Sequence, residues 1–156
     1  MRKLQNLLLA SLFFFAGNLL ADEKEKMMEP ALGGYCPVCY IAKNVAAKGT
    51  KEFKAEHNSK TYLFVSQDAV DAFNKSPEKF LPQYDGYCAY GMALDKKFAS
   101  DPTAFSVIDG KLYLNKDASI SKKFKEDTKG FIAKADVNWK KAMMKKEEME
   151  KKEMKK

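Results

Sequence analysis

A chain of 156 residues, 46% of them hydrophobic, suffices for one domain with a modest core and falls short of several. Its net charge of +7 is not interleaved with aromatic residues on a recognisable binding element, which argues against a nucleic-acid-binding protein. No serine-nucleophile motif, phosphate loop, paired-carboxylate motif or dinucleotide fingerprint is present, so the reading leans away from an enzyme.

The chain opens Met1-Arg2-Lys3 and runs through the apolar stretch Leu7–Ala16 to Leu19-Leu20-Ala21. Two positive charges followed by a short apolar run predict a secretory signal peptide over residues 1–21, cut after Ala21. Gly17 and Asn18 break the run, which is short for a membrane span, and no span is expected once the leader is removed. Leu19 is large for its place before the cut, so a different cut or an uncleaved anchor stands as the alternative. The expected location is the periplasm or outside the cell, where cysteines usually pair.

Residues 22–33 read as a flexible charged linker ending in Pro30 and Gly33. The domain is expected over 34–139. Gly34 to Tyr40 reads as a loop, since Pro37 and the glycines oppose regular structure. Ile41 to Ala47 suits a short helical turn or strand. Phe53–His57 and Thr61–Val65 flank Asn58-Ser59 and predict a β-hairpin. Ser66 is expected to cap a helix from Gln67 to about Lys75, with Val70 and Phe73 facing inward. Pro77 ends it, and Pro77–Phe80 should add one turn.

Gly86 to Leu94 carries Cys88 and Met92, which share a face if the segment is helical. Phe105–Ile108, Asp109-Gly110 and Lys111–Leu114 form the clearest hairpin signal, because Asp-Gly suits a type I′ turn. Ser119 or Ser121 is expected to cap a helix to about Lys129, broken by Gly130, with a last helix starting near Ile132 or Asp136. Residues 140–156 hold eight lysines and four glutamates and read as a solvated helical or disordered tail. No internal repeat of useful length is visible. The expected class is α+β: a small single domain of hairpins packed on short helices, with a charged C-terminal helix.

The chemistry concentrates in Cys36-Pro37-Val38-Cys39, in Cys88 and in His57, the sole histidine. Two thiols at C-x-x-C spacing grip one soft metal ion or close a small reducible disulfide. A metal reading takes Cys36 and Cys39 as first ligands, completed by Cys88 and His57, with Cu(I) ahead of Zn(II). A redox reading takes Cys36–Cys39 as a thiol–disulfide couple, which should open a helix with one sulfur exposed. The plainest reading makes Cys36–Cys39 a structural disulfide and Cys88 a buried small hydrophobe, in a non-catalytic interaction module. His57 suits a structural hydrogen bond better than a ligand role. Three cysteines are an odd number, so one is left over unless a metal or partner takes it.

Several segments, in order, resemble the exported YHS-domain proteins, a heavy-metal-associated family. They are Gly34-Tyr35-x-Pro37-Val38-x-Tyr40, Glu56-His57, Thr61-Tyr62-x-Phe64, Phe73, Pro77-Glu78-x-Phe80 and Pro82-Gln83-Tyr84-x-Gly86-Tyr87-Cys88-Ala89-Tyr90. Asp109-Gly110-Lys111-Leu112-Tyr113-Leu114 and Ile132-Ala133-Lys134-Ala135-Asp136-x-Asn138-Trp139 extend the match to roughly residues 34–139. The resemblance implies a small α+β module linked to copper or mercury handling. The sequence departs from the metal-binding form of that pattern: Cys36 stands where Asp is usual, and Val65 and Ala69 stand where a second cysteine pair would be. The expectation that follows is an exported carrier or buffer of a soft metal, handing it to a metal-accepting or redox partner protein.

Overall fold

The computed structural model describes residues 29–155. The expected leader and residues 22–28 of the expected linker lie outside the described residues. The fold is α+β, as composition and pattern predict, with five α-helices and two antiparallel two-stranded sheets among the described residues.

Helix α1, Pro37–Lys43, begins inside the segment expected to be a loop. Proline is well suited to the first helical position, where its missing N–H is one the helix leaves unbonded anyway. Asn44 ends the helix in a left-handed conformation (φ 53°), and its N–H donates to the Cys39 and Tyr40 carbonyls. Strands β1, Thr50–His57, and β2, Lys60–Phe64, pair through a two-residue turn. Asn58 and Ser59 both have positive φ (49° and 59°), the geometry that matches the twist of a hairpin. Helix α2, Gln67–Lys75, starts at Ser66, whose hydroxyl accepts the Ala69 N–H at 3.4 Å.

After a 3-10 turn over Pro77–Lys79 and another over Gln83–Gly86, the same order begins again. Helix α3, Ala89–Ala93, is followed by strands β3, Asp101–Ile108, and β4, Lys111–Asn115. Helix α4, Ala118–Glu126, follows these strands.

The chain is therefore built twice, which its amino-acid sequence scarcely shows. Leu32-Gly33-Gly34 and Tyr84-Asp85-Gly86 are both consecutive left-handed residues, with φ of 56°, 58° and 80° in the first and 58°, 54° and 83° in the second. Each turn leads into Tyr-Cys and a short helix with the cysteine at its N-cap position. Each hairpin carries the same irregularity: Thr50 faces Phe64 and the register then jumps to Lys54 opposite Leu63, while Asp101 faces Asn115 and jumps to Phe105 opposite Leu114. Each then enters a helix capped by a short polar side chain, and each helix sends one phenylalanine, Phe73 or Phe124, fully into the interior. Backbone conformation sets these correspondences while most side chains differ, so periodicity in the sequence is faint.

The C-terminal elements depart from expectation at the break. Asp117, not a serine, caps α4, accepting the Ile120 N–H at 2.9 Å. The chain bends at Asp127 rather than Gly130, and helix α5 runs unbroken over Thr128–Glu153. Asp127 caps it by accepting the Gly130 N–H at 3.0 Å, and any side chain at residue 130 would collide with that carboxylate. Gly130 is thus part of a helix start, not a helix stop.

Each copy has its own core. Cys36, Cys39, Tyr62, Phe64, Val70 and Phe73 pack together in the first, and Tyr84, Met92, Tyr113, Phe124 and Ala135 in the second. A third cluster joins them: Tyr40 from α1 packs on Leu112 and Leu114 of β4 and stacks edge-on against Phe105 at 4.9 Å. Helix α5 covers the second copy, where Asn138 donates to the carbonyls of Met92 and Ala93. No helix among the described residues is long and apolar enough to cross a membrane.

Candidate functional site

The structure brings Cys36 and Cys39 together. Cys36 is the N-cap of α1, Pro37 takes the first helical position, and Cys39 lies one turn into the helix. The turn closes by the Cys39 N–H donating to the Cys36 carbonyl at 3.2 Å, which brings the two thiols close together. Cys36 is pinned further because its own N–H donates to the Ala47 carbonyl at 2.8 Å.

The pair is buried, with Cys36 at 0% and Cys39 at 3% exposure, against Tyr62, Phe64, Val70 and Phe73. Burial pushes the Cys39 thiol up to about 11, because a thiolate loses its hydration there. The neighbouring Cys36 thiol raises it further, while the Lys43 ammonium pulls the other way. The arrangement is a buried pair of thiols in which Cys39 is held in the protonated state at neutral pH. All three cysteines are free thiols.

Cys88 and His57 are elsewhere. Cys88 is the counterpart of Cys36 in the second copy, capping α3, where its sulfur accepts the Gly91 N–H at 3.3 Å. It is 1% exposed and lies 3.9 Å from Oδ1 of the fully buried Asn115. That oxygen also accepts the Tyr90 N–H at 3.3 Å, while Nδ2 of Asn115 has no partner. Met92, one turn on, is buried with Cys88 as the helical spacing implies. His57 sits at the end of β1, its Nε2 3.0 Å from Glu78 and its ring edge-on to Phe73. Among the described residues, no three His, Cys, Asp or Glu side chains group as a bound cation needs. The dithiol stands as a pair, without Cys88 or His57.

Sequence reasoning overlooked the relation between Cys36 and Cys88. The signal was present as Gly34-Tyr35-Cys36 and Gly86-Tyr87-Cys88. The second copy holds Gly91 where the first holds Cys39, and a Cβ there would lie 2.7 Å from Cδ2 of Phe98 and 3.0 Å from the Lys96 carbonyl oxygen. Compared with family models, curated proteins and solved structures, the chain finds no match.

Proposed function

We propose that this protein is an exported carrier or buffer for a soft, low-coordinate metal ion, Cu(I) ahead of Zn(II), captured between the sulfurs of Cys36 and Cys39. The observation that carries this reading is a buried pair of neighbouring thiols with, among the described residues, no third His, Cys, Asp or Glu grouped beside it. Zn(II) takes four ligands in nearly all structural sites, whereas soft sulfur donors favour Cu(I), which accepts as few as two. Capture displaces the thiol protons, so affinity rises with pH, by about tenfold per unit for each proton released. Release follows by exchange onto the thiols of a metal-accepting partner. The resemblance to exported YHS-domain proteins agrees with this role.

A Cu(I) competition titration against a chromogenic chelator, under reducing conditions, tests it. One Cu(I) per chain is expected, abolished in Cys36→Ser or Cys39→Ser and retained in Cys88→Ser and His57→Ala. Absence of binding, or binding indifferent to Cys36 and Cys39, removes the carrier reading.

A second reading, a thiol–disulfide couple, is favoured by the helix-opening position of Cys36. The burial of both sulfurs and the raised Cys39 oppose it, because the attacking species in exchange is an accessible thiolate. A reduction potential of the pair measured against glutathione separates it from the first.

A further inference from the structure

A second feature is independent of the thiols. A cleft of about 1060 Å³ opens between the two copies, walled by the left-handed turn Leu32-Gly33 of the first and Tyr84–Tyr87 of the second. Its volume is of the order that accepts a small organic ligand.

The charges around this cleft are mostly spoken for. Lys60 of the first copy pairs with Asp85 of the second, His57 holds Glu78, and Lys146 reaches Glu150 on α5. Glu29 also lines the cleft, on the wall of the first copy. Lys97 is different. Its ammonium lies over two rings, 5.4 Å from the Tyr87 centroid and 5.5 Å from that of Trp139, and it makes no ion pair among the described residues. Trp139 in turn sits 6.1 Å from Tyr84 and 6.4 Å from Tyr87. The rings hold an ammonium in place and leave its three N–H donors without a carboxylate.

We infer that this cleft is a binding site for a planar aromatic carboxylate, with the ligand ring against Trp139 and Met143 and its carboxylate on Lys97. A flat apolar body answers the rings and methionine that line this end, and its carboxylate answers the Lys97 ammonium, which has no ion pair among the described residues. A cationic ligand would face Lys97, and a neutral one would leave its donors as they are.

The chain has one tryptophan, so the indole N–H of Trp139 gives one cross-peak in a ¹⁵N correlation spectrum. Titrating the full chain with naphthalene-2-carboxylate, its carboxamide and 2-naphthylmethylamine, while following that peak, tests the inference. The carboxylate is expected to bind about tenfold more tightly than the amide, as a charge-assisted contact implies, and more tightly still than the amine. Lys97→Met keeps the alkyl stem at an exposed position, so folding is not at stake. It should erase the preference and bring carboxylate and amide to equal affinity. Equal binding in the unaltered protein, a preference that survives Lys97→Met, preference for the amine, or no response of the Trp139 peak to any probe would overturn it.

Discussion

At the scale of single residues, the C-x-x-C pair was legible because its geometry is local. Spacing of three residues returns a side chain to the same side of a helical turn, wherever that turn is packed. The partners of Cys88 and His57 were not legible, because Asn115 and Glu78 reach them only through the folded chain. Burial of Cys39 has a measurable effect on the reduced protein. An unfolded chain ionises this thiol near its ordinary value of 9.0, the folded chain only near 11, so the native state is the one that keeps the proton. The stabilisation is complete below pH 9 and is lost as pH rises towards 11, about 3 kcal/mol in all. Denaturant unfolding of reduced protein should show that decline. In Cys39→Ala the decline should be smaller by that amount, on top of a lower baseline from the lost side chain.

At the scale of elements, strong turn and cap chemistry was read correctly and weak or competing signals were not. Asn58-Ser59 and Asp109-Gly110 sit at the hairpin turns, and Ser66 caps its helix, because each residue solves a backbone problem on its own. The glycine at 130 and the two serines near 120 misled because two aspartates outcompeted them. Asp117 accepts both the Ile120 N–H and the Ser119 hydroxyl, and these hydrogen bonds, with the Ser119 hydroxyl foremost, hold its carboxyl below the usual range. Asp117→Ala is expected to destabilise the protein through loss of the cap, seen as a lower urea midpoint at unchanged slope. An unaltered midpoint would show that Ser119 takes over the cap.

At the scale of the whole molecule, two copies of one unit meet across Tyr40, Leu112 and Leu114, with the Tyr40 hydroxyl donating to the Pro102 carbonyl at 2.8 Å. Leu112 is fully buried at that seam, so Leu112→Ala should cost about 2–5 kcal/mol, a loss that reaches both copies. Thermal melts followed by far-ultraviolet circular dichroism and by Trp139 fluorescence should coincide in the unaltered protein. A Trp139 transition displaced from the backbone transition would mean that each copy melts alone. The doubling also accounts for the odd cysteine count that the amino-acid sequence leaves puzzling. Each copy begins its short helix with one cysteine, but the loop of Lys96 and Phe98 closes over Gly91 and denies the second copy any side chain at that place. The second copy has no room for the second sulfur, and so a protein built in duplicate carries its dithiol once.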